Sequence, residues 1–323
     1  MSSLKELQKP VQEVLNEFEA HFESSMKSSV PLLDRITHYI IRRKGKQVRP
    51  LLVFLSAQMI GPIRKETHIA ASLIELLHTA TLVHDDVVDD ANMRRGFFSI
   101  NAIWKNKIAI LVGDYLLSKG LLLALEHEQY KSLQIMSQAV REMSEGELLQ
   151  IEKSRKLDIT EEVYYDIIRQ KTASMMAASC AAGAASVGGT DQQIEDMRAF
   201  GYAAGMAYQI KDDLFDYGYN NVGKPTGNDI QEKKLTLPLI HALSQVDKSE
   251  RKRVLSLIKK KSKAKSTRKQ VLAFVQENGG LEYAAARMNE YKREALTILE
   301  KFHQNDSQKA LNGLITFMID RSH

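Results

Sequence analysis

Apolar residues return at helical spacing along almost the whole of this 323-residue chain, a regularity that points to an all-α fold. Val11, Leu15, Phe18 and Phe22 make one stripe. Leu73, Leu76, Leu77, Ala80 and Val83 make another, and Ile135, Ala139, Val140 and Met143 a third. Residues three and four apart share a helix face, so each stripe has to be covered by a neighbour. Strand-like alternation is nearly absent. The chain has only 6 prolines, and its breakers fall between the stripes, at Gly61-Pro62, Gly188-Gly189 and Asn220 to Gly227. Thr190-Asp191 reads as a helix start, as does Asp158-Ile159-Thr160 ahead of Glu161-Glu162, with an N-cap and an acidic first turn. No low-complexity linker or solenoid repeat interrupts the pattern, which predicts one large helical domain over residues 1–323.

The composition, 44% hydrophobic and 26% charged, is that of a globular chain. The single cysteine, Cys180, lies in a run of small residues, which reads as a closely packed helix face and rules out an intrachain disulfide. Residues Met1 to Glu13 have no apolar signal-peptide core. No uncharged run reaches the roughly 18–20 residues of a membrane span, so a cytoplasmic protein is expected. The net charge of +5 is concentrated in Arg251-Lys252-Arg253, Lys259-Lys260-Lys261, Lys263, Lys265, Arg268 and Lys269. No aromatic residue is interleaved there for base stacking. The run therefore reads as a solvated helix–loop–helix with its loop at Ser262 to Thr267, and no nucleic-acid partner is expected.

Two acidic clusters share one pattern, DDxxD: Asp85-Asp86-Val87-Val88-Asp89 and Asp212-Asp213-Leu214-Phe215-Asp216. On a helix, Asp85 and Asp89 project together, as do Asp212 and Asp216. Like charges at that spacing cost a helix about 0.2–0.5 kcal/mol per pair, and more where apolar neighbours exclude water. The natural counterion is a hard divalent cation, which takes oxygen ligands and completes its shell with water or phosphate. Neither cluster has the spacing or central glycine of an EF-hand loop. Basic residues stand nearby: Arg94-Arg95 about one and a half turns on, Lys46 and Arg49 placed on one helical face, Lys171 before Thr172, and Lys224 and Lys234 around Asp229. Arginine forks and lysine point charges both suit phosphate.

These residues form an ordered series that resembles the trans-isoprenyl diphosphate synthases, also called polyprenyl synthetases. Gly45-Lys46-Gln47-Val48-Arg49-Pro50 matches the family's GKxxRP, and Glu75 through Asp89 its first aspartate-rich motif. Arg94-Arg95-Gly96, Gly113-Asp114-Tyr115-Leu116-Leu117, Gly146-Glu147-Leu148-Leu149-Gln150 and Lys171-Thr172-Ala173 follow in order. Tyr208 through Asp216 resembles the second motif, and Gly223-Lys224-Pro225, Asp229 and Lys234-Leu235-Thr236-Leu237-Pro238 complete the series. Two positions depart from it: Lys233 stands where the family usually has glycine, and Phe97-Phe98 replaces a more polar or proline-containing pair.

The resemblance implies an all-α bundle around a central cavity and a magnesium-dependent condensation of isopentenyl diphosphate onto an allylic diphosphate. Asp85, Asp89 and Asp212 would be the principal ligands of three Mg2+ ions, supported by Asp86, Asp213 and Asp216. Arg94, Lys171 and Lys224 would hold the allylic diphosphate, and Lys46, Arg49, His78 and Arg95 that of isopentenyl diphosphate, with Lys234 also on the substrate-binding side. Thr172 and Gln209 would sit near the developing cation. A homodimer is implied, with at most peripheral membrane contact for product release. In the family, a bulky aromatic four or five residues before the first aspartate ends chain growth early. Here those positions are Thr81 and Ala80, and no Phe, Tyr or Trp lies between Leu55 and Gly96 or between Lys131 and Val163. The tunnel floor then falls to Leu77, Ile74 or Leu73, or to Met143. At about 5.4 Å per helical turn, this predicts a product of roughly six to ten isoprene units. The alternatives are a short-chain farnesyl or geranylgeranyl synthase, a terpene cyclase-like enzyme, a non-catalytic or heteromeric synthase subunit and a lipid-binding helical protein. The intact pair of aspartate clusters and the full set Lys46, Arg49, His78 and Arg95 argue against the cyclase, the non-catalytic subunit and the lipid-binding protein, and leave a heteromeric synthase open.

Overall fold

In the computed structural model, which describes residues 4–43, 45–94, 96–219 and 226–320, the periodic stripes become helices. Leu4–Gln8, Gln12–Ser25, Pro31–Arg42 and Val48–Ile60 lead into Lys65–Val88, the first aspartate helix. A small antiparallel hairpin, Met93-Arg94 against Phe97-Phe98, is the one strand pair among the described residues. Ile100–Glu126, Tyr130–Lys156 and Glu161–Ile168 follow, then a π-helical turn, Arg169–Ala173, and Ser174–Ser186. Asp191–Asp216 is the second aspartate helix. Asn228–Gln231, Leu237–Ser244, Lys248–Lys261, Lys265–Glu277, Gly280–Leu299 and Asp306–Asp320 complete the chain.

The centre is Ser174–Ser186, buried along nearly its whole length. Its small residues let two helices close on it. A Cβ on Gly183 would lie 2.3 Å from the Val53 carbonyl oxygen of Val48–Ile60, and one on Gly201 would lie 2.5 Å from Ala177 Cα. Cys180 is part of this packing; burial pushes its thiol up to about 12, so it is protonated and inert. Around this centre, Leu51, Leu52, Leu55, Leu73, Ile74 and Leu76 are fully buried, each contributing about 1.5–3 kcal/mol.

The predicted helix starts are present. Thr160 Oγ1 accepts from the Val163 N–H at 3.3 Å. Thr190 Oγ1 accepts from the Gln193 N–H at 3.2 Å while Gln193 Oε1 accepts from the Thr190 N–H at 2.9 Å, a reciprocal cap. Three local expectations are corrected. The turn between the basic helices spans only Ser262 to Ala264, because Ser262 Oγ donates to the Gln231 carbonyl and Thr267 is buried in the next helix. Lys46 does not share a helical face with Arg49: Gln47 is left-handed (φ 47) and the helix begins at Val48. The first aspartate helix ends at Val88, with Asp90 left-handed (φ 49), so Arg94 rides the hairpin rather than a continuing helix. Phe97 and Phe98 seat that hairpin, since the Arg43 guanidinium lies 4.6 Å from the Phe97 ring centre and Tyr39 OH donates to the Phe98 carbonyl.

Ile100–Glu126, broken at Lys105 (φ 72, ψ 158), is long and apolar enough to cross a membrane by length and composition, with a mean hydropathy of 1.8 over its most apolar 18 residues. One face buries Ala109, Val112, Leu116 and Ala124, and the helix runs along the first aspartate helix. The other face leaves Ile110, Leu111, Leu122 and Leu125 in solvent.

Candidate active site

The first cluster closes the apolar helix Lys65–Val88. Asp85 is half-buried, Asp86 buried, and Asp89 exposed as the helix cap. Burial, followed by the negative charges of Glu147 and Asp89, pushes Asp85 up to about 6, with Lys171 and Arg94 opposing. Asp86 is already engaged, because Oδ1 accepts from Arg94 Nε at 2.8 Å and from Nη2. Arg94 therefore meets a carboxylate of the first aspartate motif in this conformation.

The facing wall is built on the π-helical turn. Such turns displace side chains from the regular helical sweep and recur at functional sites. Two glycines bring the flanking helices onto it. A Cβ on Gly146 would lie 2.8 Å from Gln170 Cβ and 3.0 Å from the Lys171 nitrogen, and one on Gly205 would lie 2.5 Å from Ala173 Cα. The first approach puts Lys171 Nζ 2.7 Å from Gln150 Oε1 and in an ion pair with Glu147. The second lets Thr172 Oγ1 donate to Gln209 Oε1 at 2.8 Å. Gln209 Nε2 donates in turn to Asp213 Oδ1 at 2.8 Å, and Tyr164 OH donates to Asp213 Oδ2 at 2.6 Å. Burial still pushes Asp213 up to about 7, aided by Asp212 and Asp216, against the pull of these two hydrogen bonds. Asp216 accepts the N–H groups of Asn228 and Asp229, both at 2.9 Å, anchoring Asn228–Gln231. Asp229 is pushed up to about 8 by burial and by Asp213 and Asp216.

The two clusters open on one cleft, because Gln150 and Lys234 line both its outer part, with Asp89, and its inner chamber, with Asp213. Its outer part, about 800 Å³, is lined by Asp89, Glu147, Gln150, Glu232, Lys234 and Lys259. An inner chamber of about 110 Å³ is lined by Lys171, Thr172, Gln209, Asp213, Asp229 and Lys234. A separate pocket of about 420 Å³ gathers Lys46, Arg49, Glu75, His78, Tyr208 and Phe317. Glu75 and His78 also face the chamber that holds Asp86 and Arg94, so the basic pocket adjoins the first cluster.

Arg95 and Lys224 lie outside the described residues. Among the described residues, no three acidic, His or Cys side chains converge closely enough to hold an ion by themselves. The proposed length-setting residues Ala80, Leu77 and Ile74 are buried on the first aspartate helix. Thr81 is half-buried with its hydroxyl donating to the His78 carbonyl at 2.8 Å. Leu73 and Leu77 abut Gly120, where a Cβ would meet each at 3.4 Å. The sequence reading assigned no role to Glu147, Gln150, Tyr164 or Phe317, although Glu147 and Gln150 stand inside a matched motif.

The polyprenyl synthetase family model matches residues 30–275, which include both clusters and the π-helical turn. This chain belongs to the polyprenyl synthetase family. It is 32% identical over 325 residues to an octaprenyl diphosphate synthase of Haemophilus influenzae, covering 100% of this chain and 98% of the relative. It is also 32% identical to a short-chain isoprenyl diphosphate synthase of Methanothermobacter thermautotrophicus, covering 97% and 99%. The fold matches that of a Caulobacter crescentus polyprenyl synthase complexed with calcium and isoprenyl diphosphate, with a TM-score of 0.90, 31% identity and coverage of 99% and 98%. As a polyprenyl synthetase, the chain is a prenyltransferase. The glycine usual before Lys234 now has its reason, since Lys233 occupies a left-handed position (φ 61).

Proposed function

We propose that this polyprenyl synthetase is a long-chain trans-polyprenyl diphosphate synthase that adds isopentenyl diphosphate to an allylic diphosphate. The observation that carries the reading is the pairing of two anion-suited sites: the cleft in which Gln150 and Lys234 stand between Asp89 of the first cluster and Asp213 of the second, and the adjoining pocket of Lys46, Arg49 and His78. One site takes the allylic diphosphate and the other the diphosphate of isopentenyl diphosphate.

The carboxylates suit divalent cations. Asp85, Asp213 and Asp229 are held above the usual carboxylate range by burial and by repulsion from neighbouring carboxylates, a strain that added positive charge relieves. Asp85, Asp89, Asp212, Asp213 and Asp216 would hold Mg2+, with diphosphate oxygens completing shells the protein leaves open. When bound, the ions supply neutralising charge to the departing diphosphate.

Arg94, Lys171 and Lys224 orient the allylic diphosphate, Arg94 and Lys171 turning from Asp86 and Glu147 to do so. The allylic carbon–oxygen bond breaks and its electron pair leaves with the diphosphate. The Thr172 hydroxyl and the Gln209 amide, already linked, present fixed dipoles to the allylic cation. The double bond of isopentenyl diphosphate forms the new carbon–carbon bond, and the proton then lost passes to the departed diphosphate. A single side-chain substitution that stalled deprotonation while ionisation continued would overturn that last assignment.

Product length follows from the missing aromatic plug at Ala80 and Thr81 and accords with the octaprenyl relative, giving about six to ten units at one helical turn per unit. The exposed apolar stripe of Ile110, Leu111, Leu122 and Leu125 is the face for a homodimer, and the reaction is assigned to the cytoplasm, with product handed to a membrane. Leu111→Glu should convert a dimer to a monomer by light scattering; a wild-type monomer excludes that use of the face. The activity test supplies labelled isopentenyl diphosphate, each of three allylic primers, and magnesium or a chelator. A magnesium-dependent ladder ending at six or more units is expected. Arrest at three or four units keeps the chemistry and refutes the length, while no product with any primer refutes the activity.

A further inference from the structure

The pocket over Lys46 and Arg49 has a wall that its basic residues do not explain. Leu314, Phe317 and Met318 enter it from Asp306–Asp320, at the far end of the sequence. The Phe317 ring centre lies 5.5 Å from Lys46 Nζ, within the range over which an aromatic face attracts an ammonium. Lys46 precedes its helix, beside the left-handed Gln47.

The helix that carries the ring is held by the fold. Leu7 fills the space beside Gly313, where a Cβ would lie 2.4 Å from Leu7 Cδ2. Ser307 Oγ donates to Gln58 Oε1 at 2.7 Å, and Gln308 Nε2 donates to the Leu299 carbonyl at 2.7 Å. Leu314 and Met318 are buried, while Phe317 is half-buried and faces the pocket. A lysine ammonium thus lies over an aromatic ring on an anchored helix, in a pocket with one charged wall and one apolar wall. Isopentenyl diphosphate has that division, an anionic head on a five-carbon chain.

We propose that Phe317 is a positioning residue for the second substrate: its ring holds the Lys46 ammonium toward the diphosphate, and with Leu314 and Met318 it forms the wall for the five-carbon chain. This rests on the assignment of the pocket to isopentenyl diphosphate. A lysine loses rotamer freedom when it clamps an anion, and a ring that already restricts it lowers that loss. The benefit belongs to one substrate only.

The test is steady-state kinetics with each substrate varied in turn, on wild type, Phe317→Leu, Phe317→Tyr, Lys46→Met and the double variant Lys46→Met/Phe317→Leu. Phe317→Leu keeps apolar bulk and removes the aromatic face. It should raise the KM for isopentenyl diphosphate about fivefold, in line with a cation–π contact at a partly exposed site. The KM for the allylic substrate and kcat should stay within about twofold, and Phe317→Tyr should behave as wild type. In the Lys46→Met background, Phe317→Leu should add little, because the partner it holds is gone. An unchanged KM for isopentenyl diphosphate, an equal rise for both substrates, or full additivity overturns the proposal. Lys46→Met separates the two layers: if it leaves the KM for isopentenyl diphosphate unchanged, the pocket assignment fails. If it raises that KM and Phe317→Leu does not, only the role of Phe317 fails. Thermal melting checks folding, and Phe317→Met replaces the leucine variant should the latter unfold.

Discussion

Gly205→Ala tests whether helix crossing, rather than the reactive residues alone, sets the geometry of this site. The added Cβ would lie 2.5 Å from Ala173 Cα and 2.7 Å from Ala173 Cβ. Ordinary carbon contacts are about 3.5–4.0 Å, so the second aspartate helix and the π-helical turn would have to part by about 1 Å. Alanine gains about 0.8–1 kcal/mol over glycine in helix propensity, while overpacking costs about 1–3 kcal/mol. The net loss is then about 0–2 kcal/mol, a fall in Tm of a few degrees. Activity should suffer more. Ala173 adjoins Thr172, and Gln209 lies one turn beyond Gly205, so the 2.8 Å Thr172–Gln209 bond spans the crossing that opens. Misplacement by about 1 Å costs on the order of 100-fold in rate. Steady-state turnover and melting measured on the same preparation should show kcat down about 30- to 100-fold, with the helical circular dichroism unchanged. Adding Ala173→Gly should restore only part of the rate, since it removes the 2.7 Å contact and leaves the 2.5 Å one. A Gly205→Ala enzyme at wild-type turnover would refute the reasoning.

Ala80→Phe should shorten the product to three or four isoprene units by thin-layer analysis; an unchanged ladder refutes a tunnel along the first aspartate helix. Asp85, Asp213 and Asp229, pushed up to about 6, 7 and 8, bind protons more tightly folded than unfolded, so metal-free stability should fall as pH rises from about 4 to 8. Magnesium should therefore raise Tm most at the alkaline end, and a metal-free Tm that is flat between pH 5 and 8 contradicts the charge reading. Lys233→Gly should raise stability by about 0.5–1 kcal/mol in urea melts, because the left-handed backbone no longer carries a Cβ; a loss of stability would mean that the lysine side chain outweighs the backbone cost.

What could be read from the sequence divides by the range of the interaction. Helix periodicity and the caps at Thr160 and Thr190 depend on neighbours within one turn, so composition and spacing reveal them. The aspartate clusters stood out because each is locally unfavourable, a buried or crowded set of like charges that asks for a counterion. Lys46 and Arg94 were placed on the wrong local backbone for the same reason in reverse. The left-handed residues Gln47 and Asp90 are not glycines, so nothing local announced the breaks.

Partnerships made across the fold were harder to see. Tyr164 and Asp213 are 49 residues apart, Lys171 and Gln150 are 21 apart, and Phe317 meets Lys46 from the other end of the chain. The π-helical turn has no compositional mark of its own, since Arg169, Gln170, Lys171, Thr172 and Ala173 could all continue a regular helix. Its trace lies instead in the residues facing it. Gly146 and Gly205 interrupt helices where alanine would be more stable by about 0.8–1 kcal/mol. At each, a Cβ would strike the turn at 3.0 Å or less. A glycine in mid-helix, opposite a residue of a matched motif, therefore signals that two backbones must meet there.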